Sequence, residues 1–386
     1  MSKKILVLVN WKIEYTDSVP DDKQPPDYYI KGEPYWFFRY FKDRNVEVDV
    51  ADISSFPALE KFEKNKLRFY VWQTIRVLPR LDEYDLVISH GMQSGIVLAF
   101  IRKLFGKGSY KHIVFDIGAF NSAKESGKAL KFMQYAGRSI DGIIYHTPSQ
   151  IDYYRKCHPW LVKKAVYIPF GTDTEFFEPD TINEEGIGKE DTGTDDRKDD
   201  SAIGTSGCIL SVGAGKRDYK TLIDAYVMGS RKLPLRIIGN KSAKAYTAQK
   251  YGHITDLDIT VSGKVDVNEY KEQIRDAAFC VLPLKAYNYS YGQMTMLQQM
   301  AMGKAVVVAD VPSMKPYLDP EVNIKYEPEN AGELSGIMDR LSGSPGFCEQ
   351  FGKRAKELVK DRFDEKSMAL KIEETINFFM SDVINE

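Results

Sequence analysis

The chain has 386 residues, 43% of them hydrophobic, and a formal net charge of −2. That length exceeds one ordinary domain of roughly 100–200 residues, so two domains with sizeable cores are expected. The near-neutral balance argues against bulk nucleic-acid binding, and nowhere do about 18 apolar residues run together as a membrane-spanning helix requires.

Ile5 to Asn10 is a continuous Ile, Leu and Val run, which predicts a parallel strand buried on both faces. No small-residue cleavage site follows it, so it reads as a first strand and not as a signal peptide. A polar, Pro-rich loop runs from Asp17 to Asp27, then Gly32-Glu33-Pro34 leads into an aromatic helix from Tyr35 to Phe41. Strands are predicted at Val46–Val50, Tyr84–Ser89, His112–Phe115 and Gly142–Tyr145, with helical patterns between them. This alternation builds βαβ units and a doubly wound parallel sheet.

Two features of this half point at partners. Lys61 to Arg80 carries six basic residues and one acid among Phe62, Leu67, Phe69, Trp72 and Ile75. Such a segment is either a basic amphipathic helix lying on an anionic membrane surface or a core helix with a solvated basic edge. His90 follows its strand in Ser89-His90-Gly91, and is either an acceptor-binding residue or a satisfied loop histidine. His146, His158 and His253 show no pairing pattern and read as structural or exposed.

From Pro179 to Ser206 the chain is Asp, Glu, Gly, Thr and Lys with almost no large apolar residue. Such a segment buries too little to offset its ordering entropy, so residues 179–206 are expected to be a disordered acidic linker. Cys157, Cys208, Cys280 and Cys348 form no CxxC pair, which favours buried free thiols in a reducing, cytoplasmic setting.

The alternation restarts at Cys208–Val212 and continues with strands at Leu235–Ile238, Ile259–Ser262, Phe279–Leu282 and Ala305–Ala309. Two motifs sit at carboxyl ends of these strands. In Ser211-Val-Gly213-Ala-Gly215-Lys216-Arg217-Asp218, a strand enters a glycine turn and then a helix. Gly213 and Gly215 let backbone approach a phosphate, and Lys216 and Arg217 add positive charge. An ordinary tight turn is the plain alternative. The dinucleotide and P-loop patterns both fail on spacing. In the second motif a hydroxyl-rich loop opens a helix at Gly292, whose first N–H groups, at Gln293, Met294 and Thr295, are expected to face an anion. Gln298 lies one turn further in. Two anion-competent helix starts converging on one crevice mark a ligand site of an open α/β sheet.

With these motifs in order, the second half resembles the "group 1" class of retaining GT-B glycosyltransferases. The match runs from Ser211 to Leu222, through Ile-Ile-Gly239-Asn, Val-Ser-Gly263-Lys264-Val, Val-Leu-Pro-Leu284, the Gly292 loop and Met-Ala-Met-Gly303-Lys-Ala-Val-Val, to Ala-Lys-Glu-Leu-Val-Lys-Asp-Arg-Phe363. Pro169-Phe-Gly171-Thr-Asp173-Thr-Glu-Phe-Phe177-Glu-Pro179 resembles the interdomain signature. The resemblance implies an α/β GT-B fold, two Rossmann-like domains facing a cleft. Residues 1–178 would bind the acceptor and 207–363 a nucleotide-sugar donor, with 364–386 a helix packing back on the first domain. It implies sugar transfer, with retention, to a glycan or lipid-linked acceptor, and no metal cofactor. Gly263, Lys264 and Tyr291 join Gly213, Gly215, Gly292, Gln293, Met294, Thr295 and Gln298 as donor-binding residues.

The departures are specific. The family's two glutamates fall on Ser290 (Tyr289 if the loop shifts by one) and Gln298, and its His-Asp pair reads Phe115-Asp116. Arg217, Lys216, Ser290 and Asp116 are thus the candidate catalytic residues, and Gly32 takes the place of the family's N-terminal glycine loop. The one Asp-x-Asp, Asp256-Leu-Asp258, precedes its strand and so points away from the cleft. Two other readings stay open: a nucleotide-sugar-binding scaffold without turnover, and a GT-B sugar-nucleotide epimerase.

Overall fold

The computed structural model describes residues 2–118, 125–179, 207–239, 241–287, 289 and 291–381. Its first half contains β1 (Lys3–Val9), β2 (Glu14–Thr16), β3 (Tyr28–Ile30), β4 (Val46–Ala51), β5 (Leu86–His90), β6 (Lys111–Asp116), β7 (Gly142–Tyr145) and β8 (Ala165–Tyr167). Six of them form one sheet in the order β4-β1-β5-β6-β7-β8, and every pairing is parallel. Helices α1 (Pro57–Phe62), α2 (Val71–Val77), α3 (Met92–Phe105), α4 (Lys128–Gly137) and α5 (Gln150–Cys157) flank it. The apolar run of β1 is buried on both faces, with Ile5 and Val7 in one core cluster and Leu6 and Leu8 in another, as a sheet covered on both sides requires.

The second half repeats the plan with β9 (Cys208–Val212), β10 (Leu235–Ile238), β11 (Ile259–Ser262), β12 (Ala277–Leu282), β13 (Val306–Ala309) and β14 (Ile324–Tyr326). They lie in the order β11-β10-β9-β12-β13-β14, again all parallel. Around them pack α6 (Tyr219–Met228), α7 (Lys241–Tyr251), α8 (Val267–Asp276), α9 (Gln293–Ala301), α10 (Ala331–Ser342) and α11 (Pro345–Arg362). In each sheet the strand order reverses beside the first strand, between β1 and β5 and between β9 and β12. Those are the topological switch points where open α/β sheets hold ligands.

Helix α12 (Glu365–Met380) returns to the first half. Its Met368, Ala369, Ile372, Ile376 and Phe379 share a core cluster with Ile5, Val7, Ile113 and Ile144. Glu373 accepts the backbone N–H groups of Lys42 and Asp43 at 2.9 and 2.8 Å. Glu365 accepts from Trp36 Nε1 at 2.8 Å and pairs with Arg39 at 2.6 Å. Where the chain crosses between halves, the Thr172 N–H donates to the Phe363 carbonyl at 2.8 Å and the Glu365 N–H to the Thr172 carbonyl at 2.9 Å. A Cβ on Gly171 would meet the Asp364 carbonyl oxygen at 2.6 Å. Gly171→Val is therefore expected to lower stability by about 1–3 kcal/mol through overpacking, read as a fall in the urea midpoint. An unchanged midpoint would show that the crossing tolerates separation.

Three sequence expectations change. The basic segment 61–80 is not one helix: α1 ends at Phe62, a π turn spans Glu63–Leu67, Arg68 adopts φ 61°, and a 3-10 turn, Leu78–Glu83, follows α2. The cause is local, because the buried Glu63 carboxylate accepts the Trp72 N–H at 2.8 Å and Phe69 turns inward against Phe132. The aromatic helix is a short 3-10 turn, Trp36–Tyr40. Strands β2, β3, β8 and β14, three residues each, are too short to show a period of two. The expected disordered linker, apart from Pro179, lies outside the described residues. All four cysteines are free and buried.

Candidate functional site

At the second switch point the chain leaves β9 through Gly213 and does not become helical until Tyr219. The first of the two expected open helix starts is closed. Asp218 caps α6, accepting from Thr221 N at 3.4 Å and Thr221 Oγ1 at 2.7 Å. A carboxylate already occupies that N-terminus, so a second anion there would meet like charge. The helix begins four positions after Gly215, and the glycine turn serves another purpose.

That purpose is to seat Arg217. Its Nε donates to the Val212 carbonyl at 2.9 Å, Nη2 to Thr295 Oγ1 at 3.2 Å and Nη1 to the Gly215 carbonyl at 3.4 Å. Its backbone bridges Leu284, two residues past β12. A Cβ on Gly213 would strike the guanidinium at 2.6 Å, and one on Gly292 would come within 3.4 Å of Nη1. The two glycines thus leave room for one cation between the switch-point strands. Among the described residues no carboxylate ion-pairs with Arg217. Burial lowers its pKa, opposed by the neighbouring Tyr219, Tyr270 and Tyr291 hydroxyls, but a guanidinium stays charged at neutral pH.

Arg217 reaches the start of α9, the second expected anion site, and that one is open. Gly292 is the N-cap at φ 86°, no side chain caps the helix, and its first turn holds no acid. The N–H groups of Gln293, Met294 and Thr295 lie within that uncapped turn, where the helix dipole is positive. The Gln293 side chain is turned away into the core and donates to the Ser313 carbonyl at 3.0 Å. Gln298 remains at the cleft wall. Ahead of the helix, Tyr287, Tyr289 and Tyr291 pack ring on ring, 5.2–5.8 Å between centroids. Lys216 Nζ stands 4.5 Å over Tyr287 and 5.7 Å from Tyr289, so its charge rests on aromatic faces. Tyr289 also packs against Gly118 of the first half. Ser290 lies outside the described residues.

A cleft of about 710 Å³ opens over the carboxyl ends of β9, β10 and β11. Gly213, Ile238, Lys264, Val265, Tyr270 and Gln298 form its floor and walls. Its roof is residues 22–27 of the first half, held down by Asn268 Nδ2 donating to the Asp21 carbonyl at 2.6 Å. Sequence reading assigns that segment no site role. Its proline density was the available signal, because prolines stiffen a loop that must hold a shape. Asp27 in this roof has its carboxyl pKa raised by burial, with Lys264 and Lys23 pulling the other way. Asp266 caps α8. Gly215 and Gly263 sit on exposed turns and do not line the cleft.

Three first-half candidates land elsewhere than expected. Gly32 is exposed past β3, and the 22–27 loop, not Gly32, reaches the cleft. Asp116 is fully buried, and its carboxylate accepts the Gly118 N–H at 2.9 Å, Gln150 Nε2 at 3.3 Å and the Tyr154 hydroxyl. It anchors the turn after β6. His90 sits at the first switch point but is walled in by Trp11, Trp36 and Phe115, with ring centroids 4.9–5.6 Å away. Both its ring nitrogens are buried without a hydrogen-bond partner, and burial pushes its pKa down to about 3. Neutral and enclosed, it shapes the first switch point without carrying charge.

Residues 208–343, from the first residue of β9 to just past α10, match the family model described as "Glycosyl transferases group 1". No curated protein sequence matches the chain significantly. Among solved structures, sucrose-phosphate synthase from Thermosynechococcus elongatus superposes with a TM-score of 0.66 at 16% identity, covering 98% of this chain and 100% of that one. HepE of Anabaena, in complex with UDP, gives 0.64 at 14% identity over 97% and 100%. A glycosyltransferase from Rickettsia africae gives 0.66 at 12% identity over 99% of each chain. The two facing six-stranded parallel sheets are the GT-B fold of these structures.

Proposed function

We propose that this chain, a glycosyltransferase of GT-B fold with a group 1 domain at residues 208–343, takes its sugar from a nucleotide-sugar and passes it, with retention, to a glycan or lipid-linked acceptor. The observation that carries the reading is Arg217, a charge without a carboxylate partner among the described residues, hydrogen-bonded to Thr295 at the uncapped start of α9. Breaking the bond between a sugar and a diphosphate leaves negative charge on the departing phosphate. A fixed guanidinium and a helix N-terminus aimed at that oxygen stabilise the charge as it develops. Lys264 and Gln298 suit the nucleoside end of the cleft, Gln298 as both donor and acceptor to ribose hydroxyls.

In the proposed step the acceptor hydroxyl oxygen bonds to the anomeric carbon on the face from which the phosphate leaves. The carbon–oxygen bond to phosphate breaks, and the hydroxyl proton passes to the departing phosphate oxygen. No protein nucleophile and no metal is required, so chelation with EDTA should leave the rate unchanged. Uridine diphosphate carriers, as bound in the Anabaena HepE structures, are the first donors to test. The acceptor is read as arriving at an anionic membrane surface. Phe62 (53% exposed) and Leu67 (37%) stand among Lys61, Lys64, Lys66 and Arg68, a short patch and not a long helix.

The test is a panel of nucleotide-sugars. One of them should raise the melting temperature, since a ligand specific to the native state stabilises it by mass action. The same donor should support transfer, with the product's anomeric configuration read by NMR. Binding without transfer or hydrolysis would favour a scaffold, the reading that the missing glutamates at Ser290 and Gln298 keep alive. An inverted product would overturn retention.

A further inference from the structure

The first sheet ends in an edge strand, β4, which pairs only with β1. Two tyrosines close its other side. The Tyr29 hydroxyl donates to the Val48 carbonyl at 2.8 Å. The Tyr15 hydroxyl accepts from the Asp52 N–H at 3.3 Å and donates to the Val50 carbonyl at 3.4 Å. These side chains stand where a further strand would pair. Their rings are held as a result. Tyr15 packs edge-on against Tyr29, with centroids 6.0 Å apart, and yet is 54% exposed. An aromatic ring that is both held and open to solvent gives contact area to a ligand at little cost in conformational entropy.

Beside Tyr15 opens a cavity of about 760 Å³. Leu6, Ile13 and Val77 supply an apolar wall. Asp17, Asp49 and Asp52 line it together with Lys31, Arg76 and Arg80, so carboxylates and cations balance and the cavity selects neither an anion nor a cation. The central pairs are preorganised. Arg80 Nη2 donates to Asp49 Oδ2 at 3.1 Å and to the Tyr84 hydroxyl at 2.9 Å, and that hydroxyl donates to the same Oδ2 at 2.6 Å. Arg76 Nη2 donates to the Asp52 carbonyl at 2.6 Å and to its carboxylate at 3.3 Å. A carboxylate bound through one oxygen keeps acceptor sites, and a guanidinium has five N–H groups to share. A held aromatic face, an apolar wall and a balanced rim of donors and acceptors match a sugar ring, which carries C–H groups on its faces and hydroxyls around its edge.

We propose that this cavity is a carbohydrate site separate from the cleft, and that it takes a neutral oligosaccharide. Pockets of about 300–1,000 Å³ enclose drug-sized ligands, so the space admits linked rings and not one sugar alone. Among the described residues the cavity shares no lining residue with the cleft. The two are neighbours through one loop, because Asp17 and Tyr29 on the cavity's wall bracket residues 22–27, the cleft's roof. A glycan held here lies at the base of the loop that covers the cleft. The inference does not depend on the donor reading.

The test titrates the full chain with linear tetrasaccharides of glucose, mannose, galactose and N-acetylglucosamine, followed by ligand-observed NMR. Wild type, Tyr15→Ala, Asp49→Asn and Arg217→Ala are compared, with melting curves on the same samples to show that each is folded. At least one tetrasaccharide should bind wild type. Tyr15→Ala should weaken it about tenfold, the worth of one aromatic contact. Asp49→Asn should weaken it about threefold, as a charge-assisted hydrogen bond becomes a neutral one. Arg217→Ala, in the cleft, should bind as wild type does. The proposal is overturned if none of the tetrasaccharides binds wild type, if a folded Tyr15→Ala or Asp49→Asn protein binds as tightly as wild type, or if binding is lost in Arg217→Ala. A chain that binds no nucleotide-sugar but keeps Tyr15-dependent oligosaccharide binding would remove the donor reading and leave this site standing.

Discussion

Arg217→Ala should lower sugar transfer by about 10²–10³-fold at saturating donor, the usual cost of removing one preorganised group from a developing oxyanion. The variant should remain folded. Its neighbours Val212, Thr295 and Gly215 sit at strand and helix ends near the cleft, where water can replace a lost donor. Arg217→Lys is expected to fall between the two. A lysine restores the charge, but its single ammonium cannot span Val212 and Thr295 as the planar fork does. Initial rates with circular dichroism on the same samples decide the matter. A folded Arg217→Ala protein turning over like wild type would remove Arg217 from the chemistry. A mechanism resting on a carboxylate nucleophile would also predict little effect from this change.

The second large effect is acid lability. Burial pushes His90 and His112 down to about 3 and His146 and His158 down to about 4. In the unfolded chain all four return to the ordinary value near 6.5. Between those limits the unfolded state binds protons that the fold refuses, so stability is present above about pH 6.5 and is lost as pH falls towards 4. Each histidine contributes about 1.4 kcal/mol per pH unit at most. Together, over one to two units, they approach the whole of a typical folding free energy of about 5–15 kcal/mol. Glu365 and Asp27, with raised carboxyl pKa values, act in the opposite sense and offset part of the loss. Urea midpoints at pH 7, 6 and 5 should fall steeply, and His90→Phe, set among Trp11, Trp36 and Phe115, should flatten the slope by one proton. A flat profile from pH 7 to 5 would mean that these imidazoles are hydrated in solution.

Much of this was readable in the chain. Runs such as Ile5–Val9 and Cys208–Val212 can only be strands buried on both faces, and their alternation with helical patterns gave both sheets. Gly292 ahead of an amphipathic stretch without acids announced the open start of α9. The Asp218 cap was legible in principle, because an Asp followed three residues later by Thr221 is an N-cap preference. Taking the glycine turn itself for the helix start hid it. Other features depend on contacts between distant segments. The prolines of Gln24-Pro25-Pro26 mark a stiffened loop, but which cleft it roofs is set by a floor that begins far away at Val212. The end of β5 placed His90 near the first switch point, but Trp11, Trp36 and Phe115 arrive from three separate stretches to enclose it. Segment 61–80 has the charge pattern of a single surface helix, and its breaks come from a buried Glu63 that pattern reading counts as a solvent-facing acid.

The return of α12 sets an order of events during synthesis. Chains usually acquire structure from the N-terminus as they are made. Here the core around Ile5, Val7, Ile113 and Ile144 stays uncovered on one side until Met368, Ile372, Ile376 and Phe379 have been added. The whole second half is translated before them, and among the described residues its own core draws on none after Phe363. The half that emerges first from the ribosome is thus the half completed last, and in the interval its sheet presents an apolar face to the cell's chaperones.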